Sequence, residues 1–158
     1  MIVVIVGSQK FQFNRLLKKI DELIEKKIIK EEVFAQIGVS DYIPKYYEYI
    51  DYLPQVKLDE KIKACDIVIS HAGTGSIIGA VKQEKKVIGI PRLQKYGEHV
   101  DDHQIQLINE FGKLGFIEPI YDIEELEKAL KKVNKTKYKK YVSKNDAIIE
   151  SINEFINN

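Results

Sequence analysis

The feature that most constrains the fold of this chain is the alternation of short apolar runs with longer amphipathic stretches. The runs at residues 1–6, 33–37, 67–69 and 87–90 consist almost entirely of apolar residues. Such runs are typical of strands that are buried on both faces of a parallel sheet. Over residues 13–27, apolar side chains recur every three or four positions, which predicts an amphipathic helix. The chain is therefore expected to build strand–helix units.

The same alternation continues along the rest of the sequence. Further helices are predicted at residues 58–64, 76–84, 103–114, 123–133 and 144–156, and further short strands within 42–52 and at 116–121. Strands that alternate with helices form right-handed βαβ units, so we predict an α/β fold with one parallel sheet and helices on both faces. No repeat or linker interrupts the pattern. Residues 1–158 are predicted to form a single domain that ends in a helix over residues 144–158.

Composition narrows the classes of function. The 25 basic and 24 acidic residues nearly cancel, so a net charge of +1 gives no overall attraction for nucleic acid. Cys65 is the only cysteine, which excludes an internal disulfide, and its apolar neighbours predict a small core residue. The sequence has neither a basic, apolar leader nor an apolar stretch of about twenty residues. We therefore expect a cytoplasmic location with only peripheral contact to a membrane.

Two glycine turns follow predicted strands, where ligands of parallel sheets bind. In the turn that contains Gly73 and Gly75, the backbone can approach a ligand closely, and the N–H groups of the next helix suit a phosphate. Thr74 and Ser76 add hydroxyl groups. The turn at Gly7–Ser8 would close a diphosphate site from the other side. The alternative is that both are plain strand-to-helix turns, and neither matches the Walker or dinucleotide-binding pattern.

Residues 91–104 form the polar segment with the highest density of candidate side chains. The segment holds Arg92, Gln104 and two of the three histidines, His99 and His103. A spacing of four suits two metal ligands on a helix, but the glutamate expected between metalloprotease-like histidines is missing. We favour a polar cluster that binds sugar hydroxyls, with Arg92 or a histidine near a diphosphate. A solvated loop in which acids such as Asp102 cap the next helix is the alternative.

A basic run over residues 135–144 is the last feature that the fold alone does not explain. Its lysines alternate with Tyr138 and Tyr141. Clustered lysines are attracted to anionic lipid head groups by a modest, salt-sensitive force. The alternative is a solvated connector in front of a surface helix.

Three segments together resemble one protein family. Residues 69–77, ISHAGTGSI, resemble the catalytic subunit of the eukaryotic two-part N-acetylglucosaminyltransferase of N-glycan assembly. Residues 4–23 and 90–104 resemble bacterial exopolysaccharide and capsule glycosyltransferase subunits. The chain is similar to the C-terminal domain of glycosyltransferase family 28. The resemblance implies a Rossmann-like sheet that is equivalent to the C-terminal half of a GT-B glycosyltransferase.

The resemblance also implies a function. It describes the donor-binding subunit of a two-component inverting glycosyltransferase, which transfers a sugar from a UDP-sugar to a polyprenyl-diphosphate-linked sugar in exopolysaccharide or capsule biosynthesis. The UDP-sugar is the substrate, and neither a cofactor nor a bound metal is expected. A membrane-anchored partner subunit supplies the acceptor side and holds the chain at the inner face of the membrane. The main general base is expected on that partner, with His71 and His99 as the fallback catalytic residues.

The resemblance assigns individual contacts as well. It places Gly7 and Ser8 along the diphosphate, residues 73–76 at the phosphate and ribose, and residues 53–55, including Gln55, near the uracil. His103 and Gln104 match residues that touch the donor sugar, and Asp102 and His99 belong to the same loop. One position departs from the pattern, because Gly79 replaces the acid that holds the ribose in relatives. Either Gln83 or Glu84 takes that role, or donor affinity is low, or the chain is a non-catalytic enhancer of a partner transferase.

Overall fold

The protein is represented by a computed structural model that describes residues 1–7, 10–99, 102–142, 147, 150 and 152. Ser8, which was predicted to line a diphosphate, lies outside the described residues. The predicted helix over residues 144–158 also lies outside them, except for residues 147, 150 and 152, which are helical. In the described part of the chain, no helix is long and apolar enough to cross a membrane.

Six strands form one parallel sheet, as the alternating sequence pattern predicts. They are β1 (Ile2–Ile5), β2 (Val33–Gln36), β3 (Glu48–Ile50), β4 (Ile67–His71), β5 (Lys86–Ile90) and β6 (Glu118–Pro119). The strand order is β3-β2-β1-β4-β5-β6, and every neighbouring pair is parallel. In this order β1 leads to one side of the sheet and β4 to the other, so the topological switch point lies between β1 and β4.

Within residues 1–142, five helices cover the two faces of the sheet. They are α1 (Asn14–Glu25), α2 (Gln55–Ala64), α3 (Thr74–Lys82), α4 (His103–Lys113) and α5 (Leu126–Val133). Ile2 and Val4 of β1 pack into a core with α1 and α5, whereas Val3 and Ile5 pack into a second core with α2, α3 and α4. This double burial explains why the strand sequence is apolar throughout. The predicted α/β fold with helices on both faces is confirmed.

The largest differences from the predicted elements occur near helix starts. Helix α3 begins at Thr74 rather than residue 76, because Gly73 is extended, with φ −92° and ψ 127°, and caps the helix. Helix α2 begins at Gln55, three residues earlier than predicted. The helix predicted over residues 103–114 ends as expected, since Gly115 follows α4 with a left-handed φ of 79°. Cys65 is buried as predicted, and its thiol donates to the Ile62 carbonyl at 3.0 Å.

Candidate functional site

The turns that follow β1 and β4 meet at the switch point around one imidazole ring. A Cβ atom added to Gly7 would lie 2.5 Å from Nε2 of His71, and one added to Gly73 would lie 2.3 Å from Cε1 of the same ring. Gly7 also has a φ of 84°, which L side chains rarely adopt. Both turns therefore require glycine, and the two glycine segments that the sequence singled out lie side by side.

His71 is buried under these turns, with a fractional exposure of 7%. Its Nδ1 atom has no hydrogen-bond partner among the described residues. Burial, together with the nearby charges of Arg92 and His99, lowers the pKa of His71 to about 3. The ring is neutral near neutral pH and cannot act there as a cationic phosphate clamp. A base with so low a pKa is also poorly matched to proton abstraction near pH 7.

Arg92 is the second buried polar group at this site. The whole residue is inaccessible to solvent, and Nε, Nη1 and Nη2 have no hydrogen-bond partner in the described part of the chain. The guanidinium carbon lies 5.7 Å from the centre of the Phe13 ring. Burial lowers the pKa of Arg92 to about 10, although nearby Glu98 opposes the shift, so Arg92 remains charged at neutral pH. A buried cation without partners indicates that an anion completes the site.

The N-terminus of α3 adds a further positive end to the switch point. The helix has nine residues, its cap Gly73 provides no side-chain hydrogen bond, and its first turn contains no acidic residue. First-turn N–H groups have no partner inside a helix, and the helix dipole favours negative charge there. Gly75 lies in open space, because a Cβ atom added to it would meet no atom within 4 Å. The helix end and Arg92 together define an anion-binding arrangement.

The loop after β5 is held against the start of α1 by an ion pair and hydrogen bonds. Nε and Nη2 of Arg15 donate to the two carboxylate oxygens of Glu98 at 3.0 and 3.1 Å, and Nη2 also contacts the Pro91 carbonyl at 3.3 Å. Gln12 donates to the carbonyl of Tyr96 at 3.0 Å. Glu98 is fully buried. Sequence reasoning missed this pair, because the two residues are 83 positions apart and no local motif links them.

The predicted sugar-binding residues occupy different positions around this loop. The side-chain oxygen of Gln104 accepts from the backbone N–H of Arg92 at 2.9 Å, so this buried amide holds the loop. Asp102 accepts from the backbone of Gln94 at 3.0 Å, on the surface. His103 is exposed at the start of α4, and the ring of His99 lies 5.6 Å from that of Phe11. No group of three or more His, Cys, Asp or Glu residues in the described chain is arranged to hold a metal ion.

Gln55 and Gly79 lie on the neighbouring helices α2 and α3. The Gln55 amide donates to Asp59 at 2.9 Å. Gly79 lines a cavity of about 520 Å³ between the helices, and the carboxylates lining the same cavity belong to Asp59 and Glu60. Glu84 follows the C-terminal end of α3 and pairs with Lys140 at 3.6 Å. Gln83, the C-cap of α3, lines the same cavity as Gly79, whereas Glu84 follows it and does not.

Alanine substitutions at two neighbouring glycines test this geometry. Gly73→Ala is expected to lower the free energy of unfolding by about 1–3 kcal/mol, because its Cβ would collide with the confined His71 ring. Gly75→Ala should leave stability unchanged or raise it by up to about 1 kcal/mol, because its site is open and alanine favours the helix. Urea unfolding of both variants measures the difference. Equal effects would contradict the packing of His71 between the turns.

A doubly wound parallel sheet with a candidate anion site at its switch point defines a Rossmann-like α/β domain. Residues 1–158 match the family described as glycosyltransferase family 28 C-terminal domain, and the chain belongs to that family. The resemblance drawn from the sequence, and the equivalence to the C-terminal half of a GT-B glycosyltransferase, are thereby confirmed.

Relatives of known name cover different parts of the chain. The UDP-N-acetylglucosamine transferase subunit ALG13 of Candida albicans is 37% identical over 70 residues, which cover 44% of this chain and 22% of that protein. The UDP-N-acetylglucosamine–N-acetylmuramyl-(pentapeptide) pyrophosphoryl-undecaprenol N-acetylglucosamine transferase of Prochlorococcus marinus is 27% identical over 148 residues, which cover 90% of this chain and 40% of that protein. The chain thus spans less than half the length of these curated relatives. An NMR structure of ALG13 has a TM-score of 0.64 at 20% identity, covering 99% of this chain and 96% of that one.

Proposed function

We propose that this chain is the UDP-sugar-binding subunit of a two-component inverting glycosyltransferase. The observation that carries the proposal is the buried, unpaired guanidinium of Arg92 beside the glycine turns at the switch point. Two relatives have names that specify UDP-N-acetylglucosamine transferases, and one of these names includes a pyrophosphoryl-undecaprenol acceptor. The acceptor proposed for this chain is accordingly a polyprenyl-diphosphate-linked sugar, in exopolysaccharide or capsule biosynthesis.

The chemical role of the site is to stabilise the leaving group. The diphosphate of UDP gains negative charge as the glycosidic bond breaks. In the proposed mechanism, N–H groups at the Gly7 and Gly73 turns, the dipole of α3 and the charge of Arg92 stabilise it without a cofactor. Gln104 holds the backbone of Arg92 in place. The pKa of about 3 for His71 supports a general base on the partner subunit.

An exposed apolar patch beside the site supports the need for a partner. Seven of the ten large hydrophobic residues exposed in the described chain lie between positions 39 and 56, on and around the edge strand β3. They include Tyr49 and Ile50 of β3 itself, together with Tyr52. Exposed apolar side chains concentrated around one edge strand are typical of protein interfaces. We propose that the membrane-anchored, acceptor-binding subunit covers this patch and holds the chain at the inner face of the membrane.

A non-catalytic enhancer subunit is the second candidate function, and Gly79 favours it. The family resemblance implies an acid at this position for donor binding, and the glycine here provides none. An enhancer would raise the activity of a partner transferase without binding a UDP-sugar itself. The two functions therefore differ in nucleotide binding by this chain.

Titration with UDP is expected to distinguish the two functions. UDP should shift backbone amide NMR signals of Gly7, Gly73, Gly75 and Arg92, and uridine should bind at least roughly tenfold more weakly because it lacks the diphosphate. Calorimetry with and without the partner subunit measures the affinities. Sugar transfer to a lipid-linked acceptor should require both subunits. Failure of any uridine nucleotide to bind, even with the partner present, would contradict the donor-binding function.

A further inference from the structure

The charges of this chain are strongly segregated, although its net charge is only +1. Residues 126–142 contain seven lysines and a single acidic residue, Glu127. Residues 1–125 contain 17 basic and 20 acidic residues. The near-neutral net charge therefore conceals a strongly positive region in α5 and the connector that follows it.

The connector is pinned against the body of the protein rather than extending from it. The backbone N–H of Lys139 donates to the Gly115 carbonyl at 2.8 Å, and the Tyr138 hydroxyl donates to Glu118 at 2.8 Å. Nζ of Lys82 lies 5.0 Å from the centre of the Tyr141 ring. These contacts fix the connector beside the N-terminal end of β5, where Lys85 and Lys86 add two more charges. We call Lys85, Lys86 and the seven lysines between residues 128 and 140 the lysine face.

The lysine face surrounds a cavity of about 320 Å³. Five lysines line this cavity, Lys85, Lys86, Lys137, Lys139 and Lys140, and Glu84 is the acid among its lining residues. Nζ of Lys85 is oriented by the carbonyls of Lys63 and Cys65, at 2.9 and 2.8 Å. An excess of positive charge around a preformed cavity is an anion-binding feature.

Several of these charges have no counter-charge among the residues that the structure describes. Lys140 pairs with Glu84, and Lys132 pairs with Glu118 at 2.9 Å. By contrast, Lys135, Lys137 and Lys139 are exposed and form no ion pair with any residue that the structure describes. Lys135 lines a second cavity, of about 560 Å³, between β6 and α5. This uncompensated charge is available to an external anion.

We propose that the lysine face binds the phosphate groups of anionic phospholipids, so that the chain contacts the membrane directly. Pinned lysine clusters attract anionic bilayers at roughly 1 kcal/mol per residue near the surface. Nucleic-acid binding is less well supported, because Tyr138 and Tyr141 are half-buried against the protein rather than presented as stacking platforms. The proposal goes beyond the proposed function, which needs only the anchor of a partner.

The position of the lysine face separates lipid binding from donor binding. Lys86 begins β5, whereas Arg92 follows the opposite end of the same strand. The lysine face and the anion site at the switch point therefore lie at opposite ends of the sheet. UDP is expected to leave membrane binding unchanged.

Vesicle sedimentation of the purified chain, without a partner, tests the proposal. The chain should bind phosphatidylcholine vesicles that contain phosphatidylglycerol, not pure phosphatidylcholine vesicles, and raising the salt from about 50 to about 500 mM should release it. The triple variant Lys135→Gln, Lys137→Gln and Lys139→Gln should reduce the partition coefficient roughly 100-fold. The matched variant Lys45→Gln, Lys57→Gln and Lys63→Gln removes three exposed lysines elsewhere, and its partition coefficient should change less than about threefold.

Further experiments test whether the lysine face binds phospholipids, a free phosphate ion or RNA. Inorganic phosphate at about 10 mM should neither displace the chain from vesicles nor saturate NMR shifts of the connector lysines, and displacement would overturn the proposal in favour of a free anion. Tighter binding of single-stranded RNA than of anionic vesicles would overturn it as well. An equal fall of the vesicle partition coefficient in the two triple variants would also overturn the proposal, provided that circular dichroism shows both variants to be folded. A UDP titration of the same sample tests the proposed function separately.

Discussion

Replacement of Arg92 by methionine is expected to stabilise the folded chain and, at the same time, to weaken UDP binding. The fully buried guanidinium has no hydrogen-bond partner in the described chain, so its desolvation is only partly compensated, by the charge of nearby Glu98. An apolar side chain of similar volume removes that cost, and we expect the free energy of unfolding to rise by about 1–4 kcal/mol. Loss of charge-assisted hydrogen bonds to a diphosphate should reduce UDP affinity by roughly 10- to 150-fold. Urea unfolding and calorimetry measure the two effects.

Arg15→Met is the matched control for the stability effect, because both arginines flank the same ring. The guanidinium carbons of Arg15 and Arg92 lie 5.5 and 5.7 Å from the centre of Phe13. Arg15 is paired with the buried carboxylate of Glu98, so its removal should destabilise the chain by about 3 kcal/mol. The expected result is that the free energy of unfolding rises in Arg92→Met and falls in Arg15→Met. A destabilised Arg92→Met variant with unchanged UDP affinity would show that the guanidinium serves the fold and not a ligand.

His71→Leu is expected to remove a large part of the acid sensitivity of the fold. The pKa of His71 is about 3 in the folded chain because burial disfavours its charged form, whereas an unfolded histidine titrates near 6.5. At pH values between about 3 and 6.5, the unfolded chain binds one more proton than the folded chain does. The contribution of neutral His71 to the free energy of unfolding is therefore fully present above pH 6.5 and is lost as the pH falls towards 3. In this range the free energy of unfolding falls by about 1.4 kcal/mol for each pH unit, or by roughly 3 kcal/mol between pH 6.5 and 4.

Urea unfolding at a series of pH values measures this difference between the parent chain and the variant. Carboxylates also titrate in acid, so the comparison between chains carries the result. His103→Gln is the control, because it removes a histidine from the surface of the chain. An identical slope in the His71→Leu variant would mean that the ring is not held neutral by burial.

The sheet and its ligand-binding edge follow from local sequence patterns, whereas the contacts that complete the site do not. Apolar runs such as residues 2–5 are buried by helices on both sides, so their pattern predicts a parallel sheet directly. Gly7 and Gly73 are recognisable because each follows such a run. Their contacts with one histidine depend on strand order, and a single sequence does not encode that order in any short motif.

Burial of polar side chains was the hardest property to predict. Arg92 and Glu98 lie in a segment whose composition predicts a solvated or ligand-binding loop, yet both residues are fully buried. Their burial results from packing against Phe13 and Arg15 on another element, and hydrophobic periodicity carries no information on such pairings. Gly79 is the reverse case, since the sequence identified the departure but not the acids, Asp59 and Glu60, that line the same cavity.

The clasp between Arg15 and Glu98 has a consequence for how a ligand is received. It fixes the β5–α4 loop on α1 without any ligand, so the entropy of ordering that loop is lost when the chain folds and not when a nucleotide arrives. The β5–α4 loop is therefore already ordered for ligand binding once the chain has folded. A substitution at either end of the ion pair should lower thermal stability and nucleotide affinity together, because one contact underlies both.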